Sequence, residues 1–293
     1  MHLKAYQEEA KKTIQKSKID PSLDEYIHYF GIVGEVGSVI SELKKHVRDD
    51  QGYVFFKEKL QEELGDVLWY ISTIASLNDI DLVQIAKHNL KKINERFGTF
   101  PFNSFKVYDK DFPKQEQFPR EFEVTFKPLQ KNNKETIIIT DSKGQQLGNA
   151  LNDNTYENDG YRYHDVFHFG YVAYLGWSPV IRELMKIKRK TNKEIDENED
   201  GGRAKIIEEL ITLYVYSESK KNSLFKYTDR IDNTVLRTVK QLVQDIEVKN
   251  CSSRQWESAI IGSYKVYHDL VKNNGGRVLV SIKNQKLIYI GKN

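Results

Sequence analysis

The sequence predicts a mainly α protein: a four-helix bundle over about residues 1–100, followed by a second, mostly helical domain with a small antiparallel β element. Three observations predict it. Apolar residues recur at helical spacing through four segments of the first half, with short polar breaks between them. Runs of strand character, EFEVTF and TIIIT, open the second half, and another such pair closes the chain. Between those runs the helical pattern resumes.

At 293 residues the chain is long enough for two domains of ordinary size. Its 45 basic and 42 acidic residues nearly cancel, to +3, which argues against a strongly basic nucleic-acid binder and against an acidic tail. Cys251 is the single cysteine, so an intrachain disulfide is excluded and a thiolate metal cluster is not expected. No apolar run approaches the roughly 18–20 residues that span a bilayer. The opening MHLKAYQEEAKK lacks the apolar stretch of a signal peptide, so a soluble cytoplasmic protein without membrane partners is expected. With 17 Tyr and 14 Phe against two Met, the core should be rich in aromatics.

Leu3–Lys16 reads as a short amphipathic helix. Asp20-Pro21-Ser22 breaks the pattern, and Asp20 or Ser22 is placed to cap the next helix, about Leu23 to Val47. Gly31, Gly34 and Gly37 fall three apart on it. Glycine is costly in a helix, so the stripe predicts close approach of another backbone. On the same helix Glu35, Ser38 and Glu42 share a face. Arg48–Gly52 is a turn, and a third helix covers about Phe55 to Leu77. Within it, Glu63 and Asp66 lie one turn apart, while Leu64, Val67, Leu68 and Ile71 form an apolar stripe expected to hold the bundle. Asp81 is the expected N-cap of a fourth helix, Leu82–Phe97. One face of that helix carries His88, Asn89, Lys92 and Arg96.

If the second and third helices are antiparallel, Glu35 faces Glu63 and Asp66. Converging carboxylates repel one another unless a cation neutralises them. A hard divalent ion takes oxygen ligands, bridges carboxylates to phosphate oxygens and activates water. A polyphosphate is the matching substrate, with Asn89, Lys92 and Arg96 as donors to phosphate or base.

These residues resemble a known family, the MazG-like nucleoside triphosphate pyrophosphohydrolases of the all-α NTP pyrophosphatase fold. The resemblance covers about residues 3–100 and rests on LKAYQEEAKKT, GIVGEVGSVISELKK, LQEELGDVLWYIS and NLKKINERF in that order. It implies cleavage of NTPs or dNTPs between the α and β phosphates, giving a nucleoside monophosphate and pyrophosphate. It implies Mg²⁺, with Mn²⁺ as the alternative ion, held by an E-x-x-E and an E-x-x-D pair. Glu35 matches the first carboxylate of the first pair, and Glu63 and Asp66 match the second pair. Asn89 and Lys92 match a nucleotide-contacting helix, and a homodimer or higher homo-oligomer is implied. Ser38 departs from the pattern, standing where the second glutamate of the first pair belongs. Glu42 or Glu62 is then the candidate substitute ligand. Otherwise the site holds its metal more weakly, binds one ion rather than two, or binds nucleotide without cleaving it, as a sensor would.

Residues 101–120, with Pro101 and Pro113, read as a linker or an arm packed on the bundle. From 121 to 293 the sequence predicts strands at Glu121–Phe126 and Thr136–Thr140, then helices from near Tyr161, over Arg203–Ser217, Thr234–Val248 and Ser253–Lys272. A terminal hairpin pairs Val278–Ile282 with Leu287–Ile290. His164 and His168 stand at i, i+4, a spacing that places two imidazoles on one metal. With Asp165 and Glu209 they form either a second metal or substrate site or a hydrogen-bonded polar cluster in an aromatic core. Lys186–Lys193 reads as a solvated loop. An echo of the first half, with Ile207–Thr212 resembling Gln61–Asp66 and His168–Val172 resembling Tyr29–Val33, raises an altered internal duplication. In it Asp66 would correspond to Thr212, and Glu35 would fall near Tyr174.

Overall fold

A computed structural model describes residues 1–20, 23–97, 106–131, 134–156 and 158–292. The chain divides into two compact units, Met1–Asn94 and Glu95–Asn293. Described residues are mainly helical, with one five-stranded antiparallel sheet in the second unit. No described helix is long and apolar enough to cross a membrane.

The first unit is built on a helical hairpin. Helices α1 (Leu3–Lys11), α2 (Asp24–Asp49), α3 (Phe56–Leu77) and α4 (Leu82–Phe97) follow one another along the chain. His28 lies against Trp69 and Tyr70, and His46 stacks on Phe56, so α2 and α3 run antiparallel. Gly31 fits against the Tyr70 ring, where any Cβ would collide with it. The predicted close approach therefore exists at Gly31, but to a side chain; Gly34 and Gly37 meet nothing nearby. Ser22 lies outside the described residues, and Leu23 at the start of α2 makes no side-chain cap. Asp81 caps α4 as expected, accepting from the Val83 N–H at 2.7 Å.

One expectation fails within the single chain. Leu64, Leu68 and Ile71 were to hold the bundle, yet they are 51%, 37% and 37% exposed. The exposed face of α2 is more apolar still, with Phe30, Val33 and Val47 at 73%, 70% and 76%. The α2–α3 hairpin leaves both stripes partly uncovered, and α4 is buried at Leu82 but exposed at Asn89, Leu90 and Lys92.

The second unit has strand order β3-β2-β1-β4-β5, using β1 (Glu121–Lys131), β2 (Lys134–Asp141), β3 (Gln146–Leu151), β4 (Gly276–Ser281) and β5 (Lys286–Gly291). The terminal hairpin joins the sheet where β4 pairs with β1, Val124 opposite Val278. Between β3 and β4 run α5 (Asp165–Leu175), α6 (Pro179–Leu184), α7 (Lys193–Asn198), α8 (Gly202–Lys220), α9 (Asn233–Leu242) and α10 (Ser253–Asn273). Helices α5 and α10 pack against each other and against β4 and β5. Phe126, Phe169, Tyr171, Trp177, Trp256, Tyr264 and Tyr267 fill the core, as the aromatic composition predicts.

The described part of the 101–120 stretch, residues 106–120, belongs to this second unit. Asp109 is 1% exposed and accepts from Arg182 at 2.9 Å and from the Phe118 N–H at 2.8 Å. The Lys186–Lys193 run is also not simply solvated. Arg189 is 1% exposed, with ion pairs to Asp200 at 2.6 Å and Glu247 at 2.8 Å. Burial of a guanidinium needs such partners, and charge composition alone does not reveal them.

Candidate active site

The hairpin register decides which acidic groups meet. Because Gly31 packs opposite Tyr70 and His46 opposite Phe56, residue 35 falls opposite residue 66, with residue 63 one turn away on α3. One carboxylate oxygen each from Glu35, Glu63 and Asp66 lies within 4.8 Å of the other two. Glu35 and Glu63 are half-buried and Asp66 is exposed. Every donor here is a carboxylate oxygen, the set a hard divalent ion takes. The Tyr6 phenol of α1 is pushed above its ordinary pKa by burial and by the Asp66 charge.

Neither candidate for the missing fourth carboxylate joins the cluster. Glu42 is 5% exposed, with its carboxylate engaged by Lys45 at 2.5 Å and by the Tyr53 hydroxyl. Those two hydrogen bonds hold Glu42 below the usual carboxylate range, and the same contact pushes Tyr53 up to about 12. Glu62 is exposed and paired with Lys59 at 2.8 Å. Ser38 stays half-buried on α2, one turn from Glu35. Asn89 and Lys92 lie exposed on α4, and the Arg96 side chain is outside the described residues.

The second unit brings together His164, His168 and Glu209, with ligating atoms within 4.8 Å of one another. His168 is fully buried, and its Nδ1 is 2.7 Å from a Glu208 oxygen. Glu208 also accepts from the Ser178 hydroxyl at 2.5 Å and the Val180 N–H at 2.9 Å. Burial alone pushes His168 down, but Glu208 and Glu209 outweigh it and hold the imidazole well above its ordinary pKa. Asp165 sits beside His164, Oδ1 to Nε2 being 3.2 Å, and is not one of the three converging groups.

Residues 26–99 match the MazG nucleotide pyrophosphohydrolase domain family, and residues 103–293 match the MazG C-terminal domain family. The chain belongs to the MazG family. Gene 37 protein of Mycobacterium phage L5 is 36% identical over 101 residues, covering 33% of this chain and 89% of that protein. No solved structure matches.

In this MazG chain the opening motif has a structural account that spacing did not provide. Tyr6 of L-x-x-Y-Q-x-x-A-x-x-T lies within the field of the Asp66 carboxylate. Gln7 accepts from the Leu82 N–H at 2.9 Å and donates to the Ile80 carbonyl at 2.9 Å, tying α1 to the α3–α4 turn. Ala10 is buried, and Thr13 accepts from the Trp69 indole at 2.8 Å. Sequence reasoning paired His168 with Glu209 and missed Glu208. Only the packing of α5 beside α8 shows which of the adjacent glutamates turns inward.

Proposed function

We propose that the MazG domain of this chain hydrolyses nucleoside triphosphates, NTP or dNTP, to nucleoside monophosphate and pyrophosphate at the Glu35–Glu63–Asp66 cluster. The observation that carries this reading is the convergence of three carboxylates from two helices, in a domain matched to nucleotide pyrophosphohydrolases. Mg²⁺, or Mn²⁺, fits an all-oxygen donor set, and Glu35, Glu63 and Asp66 would hold it. When bound, such an ion neutralises the phosphate charge and acidifies a water. One of the three carboxylates orients that water and accepts its proton. Ser38 offers the substrate a neutral hydroxyl in place of the charged second glutamate of the first pair. Asn89, Lys92 and Arg96 supply donors from α4. Nucleotide-pool control and defence by nucleotide depletion are both consistent roles.

The same reading includes assembly. Tyr26, Phe30, Val33, Ile40, Leu43 and Val47 recur on α2 at spacings of three, four or seven, the pattern of a helix seam. Soluble monomers rarely leave so large an apolar face uncovered. A second copy of the chain, in a homodimer or higher homo-oligomer, covers it and completes the helical bundle.

The test is pyrophosphate release from a panel of NTPs and dNTPs with Mg²⁺, for wild type and Glu63→Ala. Release by wild type and its loss in the variant is expected. No release from any nucleotide refutes the enzyme and leaves a nucleotide-binding sensor, the reading that Ser38 favours. Equal release from both proteins refutes the site.

A further inference from the structure

We infer that the C-terminal unit carries a site for a divalent transition-metal ion of the zinc class, held by His164 Nε2, His168 Nε2 and a Glu209 carboxylate oxygen. The orientation of the two imidazoles carries the argument. A backbone carbonyl can only accept, so the 2.9 Å contact between His164 Nδ1 and the Tyr161 carbonyl places a proton on Nδ1. The Glu208 carboxylate likewise accepts from His168 Nδ1, while Ser178 and Val180 hold it in place. Both rings therefore present Nε2 to the cluster.

His168 Nε2 is fully buried and makes no hydrogen bond; the Glu209 oxygen is 3.5 Å away, beyond good hydrogen-bond reach. A buried polar atom without a partner is costly; a cation between His164, His168 and Glu209 gives Nε2 a partner, displacing any proton it carries in the ion-free protein. His164 Nε2 faces Asp165 at 3.2 Å, so a cation there also separates a lone pair from a carboxylate.

Glu208 has the position of a supporting carboxylate behind a metal-bound histidine: it fixes the tautomer and strengthens the ligand. Two imidazoles and a carboxylate suit zinc, cobalt, nickel or iron better than Mg²⁺. Three protein ligands leave a coordination position for water, as in zinc sites that do chemistry. The ion has a way in. The Glu209 side chain is 49% exposed and lines a groove of about 730 Å³ with Tyr161, Val180, Leu184, Lys205 and Ile206.

The inference is independent of the MazG-domain site, and the experiment keeps the two apart. Chelator-stripped protein carrying both units is titrated with Zn²⁺, and separately with Co²⁺ as a spectroscopic reporter, in excess Mg²⁺. Wild type and Glu63→Ala are expected to bind one ion per chain, with imidazole-type Co²⁺ absorption. Glu209→Gln and His164→Ala should lose at least about tenfold in affinity, with circular dichroism unchanged. Glu209 is half exposed, so its substitution tests ligation without emptying the core. No Zn²⁺ or Co²⁺ binding by wild type overturns the inference, as does binding that survives both Glu209→Gln and His164→Ala. Loss of the ion in Glu63→Ala alone also overturns it, by placing the ion in the other unit.

Discussion

Glu63→Gln should stabilise the metal-free protein while abolishing its response to Mg²⁺. Three carboxylate oxygens within 4.8 Å of one another repel in the absence of a cation. At that separation each pair costs about 0.9 kcal/mol in a water-like medium and about 3.5 kcal/mol at an effective dielectric constant of 20. Asp66 is exposed and the two glutamates are half-buried, so the water-like figure is the better guide. Removing the Glu63 charge relieves two of the three pairs, about 2 kcal/mol. For a unit of this size each kcal/mol moves the melting midpoint by about 4–8 °C, and roughly 5–10 °C remains after side-chain relaxation. The assay is thermal unfolding in chelator and again in saturating Mg²⁺. Wild type should gain stability from Mg²⁺ by mass action, and Glu63→Gln should not. A variant that melts below wild type in chelator would show that the cluster is not strained. One that responds to Mg²⁺ as strongly as wild type would remove Glu63 from the cation site.

Two further outcomes test the surroundings. Arg189→Met should destabilise the second unit by about 3 kcal/mol, because it removes the closest cation from buried Asp200 and half-buried Glu247, leaving Asp200 with Arg182 at 3.7 Å. Lys190→Ala, an exposed neighbour, should stay within about 0.5 kcal/mol in the same denaturant titration. Val33→Lys combined with Ile40→Lys should lower the oligomeric state in sedimentation velocity; an unchanged sedimentation coefficient would refute the α2 seam.

Legibility differed between the two halves for physical reasons. In the first unit α2, α3 and α4 are long and their apolar residues periodic, so their limits could be read to within a residue or two. The α1 helix stops at Lys11, short of the expected Lys16, because Thr13 turns its hydroxyl to the Ala10 carbonyl. In the second unit β3 was not legible, since QLGNAL does not alternate and Gly148 turns to a φ of 70° beside a register shift. Helices α6 and α7, six residues each, are too short to show a period. The expected Thr234–Val248 helix ends at Leu242, with a single 3-10 turn at Glu247–Asn250. Charge was the least legible property. Arg189 sits in a run that reads as a solvated loop and is buried, because Glu247 reaches it from 58 residues along the chain and Asp200 from across the α7 turn.

The two candidate sites differ in what supports them, and that difference bears on chemistry. Glu35, Glu63 and Asp66 stand on a hairpin whose apolar stripes are partly open to solvent, and under the proposed assembly a second copy would cover those stripes. His168 and Glu208 are locked in a closed aromatic core, with every oxygen of Glu208 engaged. A site whose shape is set by assembly can be tuned by assembly; a site set by its own core cannot. If the α2 seam forms between copies, the rate of pyrophosphate release per chain should fall on dilution as the oligomer dissociates. Zn²⁺ affinity of the second unit should remain constant over the same dilution series. Equal concentration dependence of both would mean that the two units do not hold their sites by these separate means.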